Sequence, residues 1–110
     1  MQLNFIGNAF VASSSGRTIP VIDPSDEQVF DEIQRSNPDD IDTEVRAARD
    51  CLETGWGLWS AAERGRLLMR LAASVAEHAD ELMQLEMRDC GKPVKQARAD
   101  AAALVRYFKL

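Results

Sequence analysis

The sequence lacks several features that would each point to a particular class of protein. It has one histidine, and its two cysteines, Cys51 and Cys90, form no Cys-x-x-Cys motif, so a zinc site has almost no ligands available. No apolar run approaches the length needed to cross a bilayer, and residues 1–10 carry no secretory signal pattern. Positive charge is also in deficit, because 13 Lys and Arg stand against 18 Asp and Glu. We therefore expect a cytoplasmic protein with reduced thiols that binds neither nucleic acid nor membrane.

The composition of the chain fits a small soluble domain. Its first 36 residues have the composition of β-strands. Hydrophobic residues make up 45% of the 110 residues, which is enough to drive collapse. Residues 5–11 and 17–22 are rich in aromatic and β-branched side chains, and residues 13–16 between them are typical of a turn. This order predicts a hairpin of these two strands, and Pro20 places the second strand at a sheet edge. Residues 28–33 offer a possible third strand.

From Pro38 onward the pattern is that of amphipathic helices, and we predict three, over residues 39–54, 60–89 and 93–110. Asp39 or Asp40 can accept hydrogen bonds at the start of the first helix. Ser60 and Glu63 form a capping box for the second, which has a possible break near residues 78–80. Cys90-Gly91 ends the second helix, and Pro93 suits the first turn of the third. The expected apolar face of the first helix consists of Ile41, Val45, Ala48 and Leu52. That of the second helix consists of Leu67, Leu68, Leu71, Val75, Leu82 and Leu85, and that of the third consists of Val94, Ala97, Ala101, Leu104, Val105 and Phe108.

Taken alone, the polar and sulfur-containing residues nominate no active site. Cys90 precedes Gly91-Lys92 and could be a thiolate activated by the lysine, but a small residue at a helix end is the better interpretation, and Cys51 is expected to pack in the core. His78 is interpreted as a solvated or capping residue. Packing is favoured for Trp56 and Trp59 over base stacking. For the acidic residues before the first helix, capping is favoured over cation binding; these are Asp39, Asp40 and Asp42.

Five segments of the chain together resemble the beginning of the NAD(P)-dependent aldehyde dehydrogenases. They are residues 5–11 with Ile22-Asp23-Pro24, residues 39–49, Trp56 with residues 60–68, residues 81–86, and Asp89-Cys90-Gly91-Lys92-Pro93. The last is the most specific, and the resemblance covers essentially the whole chain. Gly7-Asn8 departs from it by inverting the usual Asn-Gly order, and Lys109-Leu110 departs from the aromatic continuation of the family.

The resemblance implies a fold and a function, which we state as expectations. The fold would be an α+β fragment, with an N-terminal β-hairpin or edge strands and three amphipathic helices, of the α/β aldehyde dehydrogenase fold. Residues 1–110 would form the N-terminal part of the coenzyme-binding domain of an oligomeric enzyme. The family oxidises an aldehyde to a carboxylic acid with NAD or NADP, through a cysteine thiohemiacetal and a thioester. Its catalytic cysteine, activating glutamate and glycine-rich segment lie beyond Leu110, so the resemblance assigns no catalytic or cofactor-binding residue to this chain.

Two expectations follow for the isolated chain. It would be inactive, because the resemblance places the catalytic residues beyond Leu110. It would also be a truncated chain, because its amphipathic pattern stops at Leu110 without a helix-ending signal. The alternative is a self-associating or partner-binding helical module without catalysis. The residues Ala101-Ala102-Ala103 lack the acids that some aminoaldehyde-oxidising relatives carry, which disfavours a cationic aldehyde.

One functional position is implied by the resemblance. Many members of the family hold a structural monovalent cation through a carboxylate on the helix after Gly-Lys-Pro and through backbone carbonyls next to an Asn-Pro segment. In this sequence the carboxylate would be that of Asp100, and the carbonyls would be those of Val21 and Ile22. Oxygen ligands suit hard cations of this kind.

Overall fold

The computed structural model of the protein describes all 110 residues, which form four short strands, four α-helices and one 3₁₀ turn. Residues 1–22 with 29–59 form one compact unit, and residues 23–28 with 60–110 form a second. No helix is long and apolar enough to span a membrane. The elements in chain order are β1 Asn4–Ile6, β2 Ala9–Val11, β3 Thr18–Ile22, β4 Val29–Gln34, α1 Pro38–Thr54, the 3₁₀ turn Trp56–Leu58, α2 Ala61–Glu77, α3 Ala79–Cys90 and α4 Val94–Tyr107.

The first hairpin of the first unit is formed within the segment that we predicted to be a single strand. β1 pairs antiparallel with β2, with Ile6 opposite Ala9, so Gly7 and Asn8 form a two-residue turn. Both residues have positive φ angles, 58° and 66°, as this tight hairpin turn requires, and glycine and asparagine are the residues that best tolerate that conformation. The predicted pairing of residues 5–11 with 17–22 is therefore wrong.

The second hairpin pairs β3 with β4, and this confirms the third predicted strand. Pro20 lies opposite Glu32, and a bulge occurs between Val21 and Ile22. β3 has β4 as its only neighbour in a two-stranded sheet, so the prediction that Pro20 lies in an edge strand is confirmed. At β4 itself, Gln2 adds a short parallel bridge to Ile33.

Helix α1 begins at Pro38, one residue before its predicted start, and it is capped by Asn37 rather than by Asp39 or Asp40. The N-cap is Asn37, whose side chain accepts a hydrogen bond from the backbone N–H of Asp40, while the Asp40 carboxylate accepts from the backbone N–H of Asn37. Pro38 occupies the first turn, where a missing N–H has no consequence. No residue of α1 is buried, and Ile41, Val45 and Leu52 on its apolar face are exposed.

The second unit is helical, and its predicted long helix is divided in two. The Ser60–Glu63 capping box of α2 is confirmed. His78, with φ −104° and ψ 15°, ends α2 and precedes the first residue of α3, so residues 60–89 form two helices and the predicted count of three becomes four. Gly91 ends α3 in the left-handed conformation, as expected, and α4 runs from Val94 to Tyr107 rather than to residue 110. The α+β class is confirmed.

The buried apolar core consists of four residues from the helical unit, Ala72, Met83, Ala97 and Ala101. The two alanines of α4 were on the predicted apolar face, and their burial confirms that part of the pattern. Of the large residues predicted on α2 and α3, Leu67 and Val75 are half-buried and the other four are exposed, with Leu71 at 41% and Leu85 at 50%. Small residues fill the helix contacts because they let the helix axes approach closely, and within this chain the leucine faces have no covering element.

Candidate functional site

The predicted cation ligand Asp100 lies in α4, where it is part of a cluster of three charged side chains in the helical unit. Lys92 occupies the connection between α3 and α4, and its Nζ donates to Glu86 Oε1 at 2.5 Å and to Asp100 Oδ2 at 2.7 Å. The Lys92 side chain is only 22% exposed, so the ammonium group lies partly sheltered between two carboxylates. We call these residues the Lys92 cluster.

The electrostatics of the Lys92 cluster define what it can do chemically. Hydrogen bonds from Lys92 to Asp100, and then to Glu86, raise the pKa of the ammonium group well above its ordinary value of 10.5. A lysine held in the charged form cannot serve as a nucleophile or as a general base near neutral pH. The Lys92 cluster is therefore an electrostatic connection between α3 and α4, in which the two acids exceed the base by one charge.

The three predicted cation ligands belong to different units of the protein. Val21 and Ile22 lie at the end of β3, on either side of the bulge, and Asp100 lies in the helical unit. The Oδ2 atom of Asp100 accepts from Lys92, whereas Oδ1 has no hydrogen-bond partner. No group of three or more His, Cys, Asp or Glu side chains is arranged to hold a metal ion, so a cation at Asp100 would depend on backbone oxygens. The cation site remains a prediction.

A second polar cluster lies in the first unit, around Asp40. Its carboxylate accepts from Ser13 Oγ at 2.6 Å, from Ser14 Oγ at 2.9 Å, and from the backbone N–H groups of Ser14 and Asn37 at 3.1 and 3.0 Å. Ser13 is buried, and its N–H donates to the side chain of Gln34 at 2.8 Å. This Asp40 cluster attaches the segment after β2 to the first turn of α1, so its role is structural.

The two cysteines and the histidine make no catalytic arrangement with one another. The thiol of Cys90 donates to the backbone oxygen of Glu86, four residues earlier in α3, at 3.1 Å, and the ammonium of Lys92 is directed to carboxylates instead. Cys51 is exposed, so the expectation that it packs in the core is wrong. His78 donates from Nδ1 to the backbone oxygen of Ser74 at 2.8 Å, which confirms its capping interpretation.

Trp56 and Trp59 pack against each other around the 3₁₀ turn. Their ring centroids are 5.9 Å apart with an interplanar angle of 40°, within the range of favourable aromatic pairs. This mutual contact confirms that the two residues are involved in packing.

The sequence indicated some of these residues and missed others. The sequence pointed to Asp100, but it indicated its partner Lys92 only as a neighbour of Cys90 and within the family-like segment 89–93, and Glu86 only within the family-like segment 81–86. The available signal was a helix–Gly-Lys-Pro–helix connection, which brings the end of one helix and the beginning of the next beside a single lysine. For Ser13 no local signal existed, because it contacts Asp40 from 27 residues away.

Comparisons with known proteins agree with this fold. Crystal structures of aldehyde dehydrogenases superpose on the chain closely. One, of a protein assigned as an aldehyde dehydrogenase from Burkholderia cenocepacia, gives a TM-score of 0.95 at 53% identity over 97% of this chain and 23% of that chain. Another, of betaine aldehyde dehydrogenase from Staphylococcus aureus in complex with NAD⁺, gives 0.94 at 28% identity over 98% of this chain and 22% of that chain. The fold is therefore a part of the aldehyde dehydrogenase fold.

The sequence comparisons show the family directly. The model of the "Aldehyde dehydrogenase family" matches residues 10–110. The chain is 40% identical to aldehyde dehydrogenase family 2 member B4, mitochondrial, from Arabidopsis thaliana over 98% of this chain and 20% of that protein. It is 38% identical to 2-hydroxymuconic semialdehyde dehydrogenase from a Pseudomonas species over 82% of this chain and 18% of that protein. The chain belongs to the aldehyde dehydrogenase family, and it spans about a fifth of the length of the relatives it matches.

Proposed function

We propose that this chain is the N-terminal part of the coenzyme-binding domain of a cytoplasmic, homo-oligomeric aldehyde dehydrogenase that oxidises an aldehyde to a carboxylic acid with NAD or NADP. The observation that carries the proposal is the match of residues 10–110 to the family, together with the close superposition on an NAD⁺-bound betaine aldehyde dehydrogenase. The role of these 110 residues is then structural: they form one edge of a larger enzyme.

The residues of this chain do not themselves form a dinucleotide site. Such sites place the pyrophosphate at a free helix N-terminus that follows a strand of a parallel sheet. Here both sheets are antiparallel and two-stranded. The N-termini of α1 and α2 already have a carboxylate, from Asp40 and Glu63 respectively, bound to their N-cap backbone. No step of coenzyme chemistry is therefore assigned to these residues.

The chain also lacks an activated nucleophile, and we propose that it has no catalytic activity by itself. Cys51 and Cys90 are both exposed, and no hydrogen bond joins either thiol to a histidine or a carboxylate side chain. A catalytic cysteine needs such a partner, or a comparable source of positive potential, to form the thiolate.

A chimera provides the test of this proposal. We would replace the matching segment of the Burkholderia cenocepacia relative with residues 1–110 and measure NADH formation from a panel of aldehydes. We expect the chimera to be active and the isolated chain to produce no NADH. The control is the same relative with the segment deleted, which should be inactive. A chimera that folds and assembles but has no activity would contradict the proposal, as would turnover by the isolated chain.

For the full enzyme we also propose the monovalent cation site at Asp100, Val21 and Ile22. The free Oδ1 of Asp100 supports it, as does the bulge at Val21 and Ile22, which interrupts regular strand pairing. In the chimera, sodium or potassium should raise the melting temperature relative to a bulky organic cation, and Asp100→Asn should reduce that difference. An unchanged difference in the variant would exclude Asp100 as a ligand.

The second candidate function is a helical interaction module without catalysis. The observation in its favour is the number of large apolar side chains that α1 to α4 leave exposed, among them Leu52, Leu71 and Leu85. Exposed apolar surface on this scale is typical of a surface that binds another polypeptide.

A further inference from the structure

The Lys92 cluster leaves one carboxylate oxygen of Asp100 without a partner. Lys92 Nζ donates to Oδ2 at 2.7 Å, and no hydrogen bond or ion pair involves Oδ1. The Asp100 side chain is 45% exposed, so a small ion can reach this oxygen. A carboxylate oxygen suits hard cations of either one or two charges, so the chemistry of the ligand atom alone does not select between them.

The charges of the cluster determine how many positive charges such an ion can carry. Glu86 and Asp100 each contribute one negative charge and Lys92 contributes one positive charge, which leaves a net charge of −1. One monovalent cation therefore neutralises the cluster, whereas a divalent cation would leave an excess positive charge beside the ammonium group. Without Lys92 the two carboxylates would together carry −2, which is the charge that a divalent cation matches.

Lys92 also contacts the same carboxylate group that would bind the ion. An ammonium on Oδ2 and a cation on Oδ1 share one carboxylate, so they repel each other at short range. This repulsion is proportional to the charge of the cation, so it disfavours a divalent ion twice as strongly as a monovalent one. Only 22% of the Lys92 side chain is exposed, which limits the screening of the repulsion by water and salt.

We propose that Lys92 restricts the cation site at Asp100 to monovalent ions, by holding the net charge of the cluster at −1 and by repelling a second positive charge from Oδ1. The inference rests on the cation site of the proposed function. It goes further because it assigns the charge selectivity of that site to a side chain that is not itself a ligand.

The test uses the melting temperature of the chimera in sodium, potassium, magnesium or calcium chloride, against the chloride of a bulky organic cation at constant ionic strength. A cation that binds the folded state raises the melting temperature, and the concentration at which the rise begins reports its affinity. The chimera with unchanged residues 1–110 should respond to sodium or potassium and not to the divalent ions. Lys92→Met should respond to calcium or magnesium, with an affinity higher by roughly tenfold or more.

Two other lysine variants serve as controls. Lys92→Arg keeps the positive charge beside Asp100 and should retain the preference for monovalent ions. Lys95→Met removes a charge of the same sign from α4, and since Lys95 has no bond to Asp100, it should also behave as the unchanged chimera. Adding Asp100→Asn to Lys92→Met should abolish the divalent response, because the response then lacks its carboxylate ligand.

Glu86→Gln tests the same inference with the ammonium group in place, and it serves alone if circular dichroism shows that Lys92→Met does not fold. The substitution removes one negative charge and leaves Lys92 bound to Asp100, so the cluster becomes neutral. We expect the response to sodium or potassium to need roughly tenfold more cation. An unchanged concentration would contradict the inference.

Three further outcomes would overturn the role of Lys92. They are a Lys92→Met variant that keeps the monovalent preference, a Lys95→Met variant that shows the same change in selectivity, and the absence of any cation response in every version of the chimera. NADH formation separates these results from the enzyme proposal. An active chimera without the change in selectivity leaves that proposal standing, whereas a folded but inactive chimera that shows the change supports the role of Lys92 alone.

Discussion

At the scale of single residues, Asp40 shows how local and distant contacts combine. The local half of its environment, the reciprocal bonds with Asn37 at the start of α1, could be read from the sequence Asn-Pro-Asp-Asp once the cap is placed correctly. The distant half, the bonds from Ser13 and Ser14, could not, because no periodicity connects residues 27 apart. Hydrogen bonds, the largest from Ser13 and the next from the backbone of Asn37, hold the pKa of the carboxyl well below its usual 3.8.

The lowered pKa of Asp40 predicts how acid affects the protein. Because the folded state binds the proton more weakly than the unfolded state, this contribution to stability is fully present above pH 3.8 and is lost as the pH falls toward the folded pKa. We expect Asp40→Asn to lower the melting temperature at neutral pH and to flatten its decline in acid, as followed by circular dichroism. Asp39→Asn, its neighbour outside the cluster, should change neither. A variant as stable as wild type at neutral pH would show that the cluster contributes nothing.

At the scale of elements, the predictions from sequence were most accurate at helix ends that carry a capping residue or a helix-ending glycine. The Ser60–Glu63 box and Gly91 mark their boundaries by hydrogen bonding and by backbone conformation, and both predictions are confirmed. The hairpin pairing was wrong because the Ser-rich segment was taken for the turn, while Gly7-Asn8 was read as part of a strand. The sequence pattern allowed a break near His78, but we predicted one helix over residues 60–89, whereas the structure has two.

The 3₁₀ turn after α1 requires glycine at position 57, because the backbone there passes close to the backbone of Leu52. This requirement can be tested by substitution. A Cβ atom at this position would lie 1.6 Å from the backbone oxygen of Leu52, so Gly57→Ala forces the main chain to shift. We expect a loss of about 1–3 kcal/mol in the free energy of unfolding. The control is Gly65→Ala in α2, where a Cβ meets nothing within 4 Å and helix propensity should add up to about 1 kcal/mol. Equal effects of the two substitutions, measured by urea unfolding, would contradict this account.

The connection between α3 and α4 predicts an effect of alkaline pH. Since the pKa of Lys92 is raised in the folded state, its contribution to stability is fully present below pH 10.5 and is lost as the pH rises through the higher folded value. Lys92→Met should therefore lower the melting temperature at neutral pH and remove that alkaline component. Lys92→Arg should retain part of the stability, because it keeps the charge between Glu86 and Asp100. If both variants lose the same amount of stability, the charge of Lys92 does not matter and its role is packing only.

At the scale of the whole molecule, the sequence predicted the class of fold and the family but only the α4 half of the core, Ala97 and Ala101. The amphipathic pattern marks which side of a helix is apolar, and it says nothing about which polypeptide covers that side. Leu71 and Leu85 lie on correctly predicted apolar faces and are nevertheless exposed, whereas Ala72 and Met83, which the prediction left out, are buried. Relatives that are about five times longer have the additional chain that could cover such faces.

Hydrogen exchange can compare the protection of amides in α2 and α3 between the isolated chain and the chimera, in which the rest of an enzyme is present. In the isolated chain, held dilute enough to be monomeric, amides of α2 and α3 should exchange readily, because local opening exposes little additional apolar surface. In the chimera the same amides should be protected by a further factor of roughly ten or more, since opening would then separate the leucine faces from covering polypeptide. Peptides of the Gly7-Asn8 turn, which belong to the other unit of the chain, serve as the internal reference. Equal protection of α2 and α3 in both proteins would mean that these faces remain exposed in the enzyme, and the surface would then have to be explained by a partner outside it.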